Sequence, residues 1–296
     1  MRTSTAEADA RAEKYTIGLA LGGGAELGLA HIGVLKALEE NGFPIRYLAG
    51  SSAGALVASF YAAGAPVALM ERIAHRMNWR MLQRMTLPLL ALSTNEPLKR
   101  FLERTLPVRS FDALKIPLRL VTTDLLTGEM VVFQGGPGLR SRRLVNDPDV
   151  VFEQGDLIEA IRASCARPVI NRPVEIGGRL LVDGCLTNNV PALLVRDMGA
   201  DVVVAVDLTA RRRRASPPSS ILSYAIQCQA INIHWALKSR HLAADVVIRP
   251  DFSGLRQTDF QAAGEIIRAG EMAATAAVPA IRSICDSRQS PADRSS

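Results

Sequence analysis

Gly50-Ser51-Ser52-Ala53-Gly54 constrains this chain more than any other stretch, because it spells G-x-S-x-G between two apolar segments. Ile45–Ala49 (IRYLA) reads as a short buried strand and Ala55–Ala63 (ALVASFYAA) as an apolar helix. That strand-turn-helix context is what the motif needs to lift a serine hydroxyl out of the fold. A serine on so sharp a turn has strained backbone angles, and its neighbours two positions away must be small for helix and strand to pass. Only Ser52 has glycine at both of those positions. Ser52 is therefore the candidate nucleophile, in an elbow made of Gly50, Ser51, Ala53 and Gly54. Its hydroxyl would stand over a helix amino terminus, whose partial positive charge favours a developing alkoxide. A small-residue turn can spell the motif by chance, but the flanking strand and helix favour chemistry.

A second glycine cluster follows an earlier strand. Thr16–Leu21 (TIGLAL) leads into Gly22-Gly23-Gly24-Ala25-Glu26-Leu27-Gly28, then a helix over Leu29–Glu40. A glycine run at a strand end exposes backbone N–H groups. Acyl transfer uses such donors for its tetrahedral oxyanion, each worth about 2.7–4 kcal/mol of barrier. The rival reading is a dinucleotide-binding turn on Gly22, Gly24 and Gly28, and with it a nucleotide-binding oxidoreductase. That turn wants an acid at the end of the next strand. Here the next strand ends in Ala49-Gly50-Ser51-Ser52, without one.

The third element is Arg179–Asp183 (RLLVD), a short apolar strand ending at Asp183-Gly184. Asp-Gly is common turn chemistry, and taken alone Asp183 reads as a turn former. Taken with the two glycine elements it can be more, because strand-end carboxylates in α/β proteins face the same crevice as the other strand-end loops.

In this order, LGGGAELGLAHIGVL, GSSAG and LLVDGCLTNNVP resemble the three signature blocks of the patatin-like phospholipases. Ile161–Pro168 (IRASCARP) resembles the segment that leads into that family's acid loop. The resemblance runs from Tyr15 to Ile284 and is closest to the compact bacterial members. It implies a three-layer α/β/α sandwich around a central, mostly parallel sheet. It implies a serine–aspartate dyad with Ser52 as nucleophile and Asp183 as base, an acid loop continuing through Gly184, and an oxyanion hole from the backbone of Gly22, Gly23 and Gly24. The substrate implied is a lipid or other acyl ester, such as a (lyso)phospholipid, cleaved through an acyl-enzyme without metal or cofactor. A transacylase using the same site, and a silent lipid-binding or regulatory relative, are the alternatives. Two departures stand out: Leu27 where the family often has arginine, and Cys185 where the acid loop often has glycine or alanine.

A Ser-acid-His order would be met by Ser52, Asp183 and then His234 or His241. Against it, the elbow arrives after a single βα unit, and both histidines lie on a helical stretch over Ser223–Ala244. His31 opens the helix behind the glycine loop and reads as packing; His75 reads as solvated.

The chain has 296 residues, 48% of them hydrophobic, enough for one large core. Leu118–Asp124, Met130–Gln134, Arg179–Asp183, Asp201–Asp207 and Asp245–Arg249 read as strands alternating with helices. The expected organisation is a tail over 1–14, a catalytic domain over 15–285 with a loop at 211–220, and a tail over 286–296. Tyr47–Met70 carries no charge but contains the elbow, so a buried strand-turn-helix fits better than a membrane span. With no apolar signal core at the N-terminus and four scattered cysteines, the expected compartment is the cytoplasm. Net charge is +6. Arg72, Arg76, Arg80 and Arg84 recur every four residues, as a stripe along one helix beside Ile73, Met77, Met81 and Met85. By itself the pattern reads as a solvated arginine edge beside a methionine-lined core contact. With the lipid-ester reading that the resemblance implies, the segment is expected over the site mouth as a lid or docking surface, in peripheral contact with anionic membrane. Arg211–Arg214 is too short, and too isolated from any nucleic-acid-binding motif, to predict a nucleic-acid partner.

Overall fold

The computed structural model describes residues 15–86, 91–139, 150–153, 155–209, 217–239, 243–253 and 260–288. Strand β1 (Ile17–Leu21) leads through a 3-10 turn, Ala25–Leu29, into α1 (Ala30–Glu40). Strand β2 (Ile45–Ser51) turns sharply into α2 (Ala53–Ala62). Helices α3 (Val67–Ala74) and α4 (Trp79–Leu82) precede a small antiparallel pair, β3 (Arg84–Met85) and β4 (Ser93–Thr94), and then α5 (Glu96–Thr105). Next come β5 (Leu118–Asp124), β6 (Met130–Gly135), β7 (Val150–Glu153), α6 (Leu157–Ser164), β8 (Val174–Ile176) and β9 (Arg179–Asp183). Helix α7 (Ala192–Asp197), β10 (Val202–Val206), α8 (Ile221–Ser239), β11 (Val246–Ile248) and α9 (Ala263–Ser287) complete the order.

Nine strands share one sheet in the order β11-β10-β1-β2-β5-β6-β7, with β9 on β5 and β8 on β9. From β11 to β5 every pairing is parallel. Strands β6 and β9 run antiparallel to β5. The sheet is therefore mixed and mostly parallel, between two helical layers. Strands buried on both faces read as continuous apolar runs, and the side-chain alternation divides them. Ile17, Leu19, Leu21, Val202, Val204 and Val206 enter the core roofed by α1, α2 and α9. Ala20, Ala49, Val203 and Ala205 enter the opposite core, against Leu194 and Val195 of α7.

The topology fixes the site. Strand β2 runs parallel to β5 and its last pairing is Ser51 with Val121. Strand β9 runs the other way along the same edge of β5, and it ends with Asp183 opposite Thr122. The two strands therefore meet head to head.

Several expectations change. The four arginines do not share a helix. Arg72 is on α3, Arg76 in the turn after it, Arg80 on α4 and Arg84 on β3. The break comes at Asn78, whose extended backbone (φ −149°, ψ 166°) ends the helical path before Trp79. Asp286 and Ser287, expected in the tail, extend α9. Helix α8 is described over Ile221–Ser239, and Ala243 and Ala244, expected at its end, are not helical. Residues 1–14, 289–296, the Arg211–Arg214 run and His241 lie outside the described residues.

Candidate active site

Ser52 has φ 54° and ψ −123°, a conformation that costs a non-glycine residue about 1–3 kcal/mol. Its surroundings hold it there. The Ser52 N–H donates to Ser164 Oγ at 2.9 Å, and the Ser164 hydroxyl donates to the Val121 carbonyl at 2.7 Å. Strand and helix pass so closely that a Cβ on Gly54 would sit 2.1 Å from the Leu21 carbonyl oxygen. The Ser52 hydroxyl does not cap α2; it donates to Asp183 Oδ2 at 2.7 Å.

Asp183 is both turn former and hydrogen-bond partner of the serine. Its Oδ1 accepts from the Cys185 N–H at 2.9 Å, which closes the acid turn, while Oδ2 faces Ser52. Its own N–H donates to the Ala166 carbonyl at 2.9 Å, and Thr123 Oγ1 donates to its carbonyl at 3.1 Å. Burial pushes the Asp183 carboxyl above the usual aspartate range, and the hydrogen bonds from Cys185 and Ser52 offset part of that. A carboxylate made more basic by desolvation is better suited to accept a serine proton.

The glycine loop closes over this pair. A Cβ on Gly23 would sit 3.0 Å from Ser52 Cβ and 2.2 Å from Cys185 Sγ, so no side chain fits there. Of the three amides expected as oxyanion donors, two are engaged elsewhere. Gly22 N–H donates to the Val206 carbonyl at 3.0 Å. Gly23 N–H donates to the Asn189 carbonyl at 3.3 Å and to Asn189 Oδ1 at 3.1 Å. Among the described residues, the amides of Gly24 and Ala25 have no protein acceptor. His31 pins the loop from behind: its Nε2 lies 2.7 Å from the Gly22 carbonyl, which makes Nε2 the protonated nitrogen of a neutral ring. Full burial pushes the His31 pKa down to about 4.

Ser52 opens onto a cavity. Its walls are mostly apolar, among them Leu29, Leu56, Val57, Leu82, Leu98 and Phe260. Ala25 and Ala53 line it beside the serine, and Gln83, Asn95, Arg167 and Asn171 supply polar edges.

The sequence pattern of one family, described as patatin-like phospholipase, matches residues 19–196 and so spans the glycine loop, the elbow and the acid turn. The chain belongs to the patatin-like phospholipase family. It is 34% identical over 198 residues to an uncharacterized NTE family protein of Mycobacterium bovis, covering 65% of this chain and 49% of that protein. It is 32% identical over 199 residues to lysophospholipase NTE1 of Mycosarcoma maydis, covering 65% of this chain and 10% of that one. It is 31% identical over 203 residues to patatin-like phospholipase domain-containing protein 6 of Homo sapiens, covering 65% and 13%. The chain thus spans about half the length of the first of these relatives and a small part of the other two.

Among the described residues of this patatin-like chain, no histidine lines the cavity. His31 is spent on the Gly22 carbonyl, His75 is exposed at the end of α3, and His234 is half-buried on α8 against Trp235. Cys165 donates to the Ser52 carbonyl at 3.3 Å, and Ser51 Oγ lies 3.7 Å from Cys185 Sγ. Burial pushes the Cys185 thiol well above its usual range. Leu27, in the place the family often gives to arginine, is buried. Ser164 and Asn189 support the site although neither stood out in the sequence. Among the described residues no group of three or more histidine, cysteine, aspartate or glutamate side chains is placed to hold a metal ion. No helix there is long and apolar enough to cross a membrane.

Proposed function

We propose that this chain hydrolyses fatty-acyl esters of (lyso)phospholipids or related lipids, with Ser52 as nucleophile and Asp183 as general base. The observation that carries the reading is the 2.7 Å hydrogen bond between Ser52 Oγ and Asp183 Oδ2 at the wall of an apolar cavity. The acyl chain lies in the cavity. Ser52 Oγ attacks the ester carbonyl carbon as its proton passes to Asp183 Oδ2. The carbonyl π electrons move to oxygen, and the resulting oxyanion takes hydrogen bonds from the amides of Gly24 and Ala25, with the amide of Ala53, the residue after the nucleophile, as a third donor. The oxyanion collapses, the C–O bond to the alcohol or lysophospholipid breaks, and the leaving oxygen takes the proton from Asp183. Water then gives a proton to Asp183, attacks the acyl-enzyme and releases the fatty acid, and the proton returns to Ser52.

The segment that carries Met77, Trp79, Leu82 and Gln83 lines the cavity, and Arg72, Arg76, Arg80 and Arg84 are exposed along it together with Met81 and Met85. We place peripheral contact with anionic membrane at this rim, where lipid would reach the mouth.

The test is hydrolysis of p-nitrophenyl esters of graded chain length by wild type, Ser52→Ala and Asp183→Asn. Hydrolysis in wild type alone supports the reading. Equal turnover in Ser52→Ala, or none in wild type, removes it.

A further inference from the structure

Arg167 stands apart from the other arginines that are withdrawn from solvent. Arg119 is ion-paired with Asp197, Arg162 with Glu96 and Glu159, Arg179 with Asp124 and Glu129, and Arg196 with Asp245. Arg282, half-buried over the Phe43 ring, has no carboxylate but donates to Asn41 Oδ1 at 3.5 Å. Arg167 is half-buried, yet among the described residues its guanidinium has neither a carboxylate nor a hydrogen-bond acceptor. It is nevertheless held in place. Arg167 lies three residues past the end of α6, where its backbone N–H donates to the Cys165 carbonyl at 3.0 Å and its carbonyl accepts from Asn171 N–H at 2.8 Å. Its guanidinium carbon lies 5.4 Å from the centroid of the Trp79 ring. Stacking on an aromatic face leaves the edge N–H groups of the guanidinium free, and that edge matches two oxygens of a phosphate or carboxylate. Arg167, Trp79 and Ser52 line the same cavity. The charge of Arg167 also reaches the dyad, where it offsets part of the upward push on the Asp183 carboxyl.

We propose that Arg167 is the anion-binding element of this cavity and takes the phosphate of a phospholipid whose acyl ester lies at Ser52. The proposal rests on the lipid-ester reading above and adds a headgroup preference to it. A fixed guanidinium without an internal counter-ion gains most from a ligand that brings one, whereas a neutral acylglycerol leaves it unpaired. Phosphate bound there would neutralise a cation whose charge holds the Asp183 pKa down, and leave the carboxylate a stronger base when a phospholipid is bound.

The experiment compares lysophosphatidic acid with the monoacylglycerol of the same chain, for wild type, Arg167→Gln and Arg167→Lys. Arg167→Gln should lose roughly tenfold or more in kcat/KM on lysophosphatidic acid, mostly through KM, a clearly larger loss than on the monoacylglycerol. Arg167→Lys, which keeps charge but not the fork, should fall between. Inorganic phosphate, titrated by calorimetry into wild type and Arg167→Gln, separates a site for free phosphate from one that needs the lipid: binding to wild type alone gives the first, and selective kinetics without phosphate binding gives the second. Equal losses on both substrates, or no loss on either, overturn the proposal. Should wild type hydrolyse neither lipid, the catalytic reading falls separately. Calorimetry with lysophosphatidic acid below its micelle concentration then decides: binding lost in Arg167→Gln sustains the anion site, and unchanged or absent binding ends it.

Discussion

Asp183 takes the pairing position on β5 directly after the one that Ser51 takes, opposite Thr122 and Val121 respectively. Two strands of opposite direction thus share one edge of β5 and deliver Ser52 and Asp183 to the same point, although 131 residues separate them in sequence. The contact between Ser52 and Asp183 is set by backbone pairing in the sheet, so the residues that fix this meeting point should matter as well as the pair itself.

Asp183→Asn should cut kcat by roughly 10²–10⁴-fold, since a general base of ordinary efficiency is lost. It should also stabilise the fold. Burial raises the Asp183 pKa above its unfolded value, so the native state binds more protons over that window and stability falls as pH rises through it. Asparagine keeps the shape and cannot ionise. Thermal unfolding should therefore show the variant more stable than wild type at neutral pH, with the two converging in acid. The same shift places the acidic limb of the wild-type kcat/KM profile above the ordinary aspartate value of 3.8.

Ser164→Ala should lower both stability and activity. It leaves the buried Ser52 N–H without its acceptor, a loss of about 1–3 kcal/mol. Urea unfolding and ester hydrolysis check it; Ser164→Thr, which keeps the hydroxyl, should recover part of the activity.

His31 gives a pH signature of its own. Burial lowers its pKa from 6.5 to about 4, so the unfolded chain binds the extra proton first, and stability falls as pH drops between those values. The full effect is about 3 kcal/mol at 1.36 kcal/mol per pH unit. His31→Gln places an amide nitrogen near the Nε2 position and does not titrate. Its stability should fall less steeply than that of wild type between pH 6.5 and 4, measured by chemical unfolding across that range.

Charge reversal at Arg72, Arg76, Arg80 and Arg84 should abolish flotation with phosphatidylglycerol vesicles while leaving hydrolysis of a soluble short-chain ester intact. Unchanged flotation would remove membrane contact from this rim.

The elbow, the acid strand and the bounds of β5 and β9 are legible in the sequence, because glycine spacing and apolar runs encode them locally. Strand β8 could also have been read: Gly177-Gly178, with φ of 59° and 79°, forms the two-residue turn that joins it to β9. The arginine spacing misled because a period of four residues carries no mark of the break at Asn78. The free amides of the glycine loop were not legible either. Which N–H groups remain depends on Val206 and Asn189, which are remote along the chain and reach Gly22 and Gly23 only once the sheet has formed. Ser164 was hidden for the same reason, lying 112 residues from the amide it holds.

The account turns on Ser52 being the activated hydroxyl and Asp183 the group that activates it. Fluorophosphonate labelling followed by peptide mass mapping tests this most directly. The predicted result is a single adduct on Ser52 in wild type, none in Ser52→Ala, and labelling of folded Asp183→Asn slowed by at least about a hundredfold. An adduct on a different serine, or Asp183→Asn labelling at the wild-type rate, would contradict it.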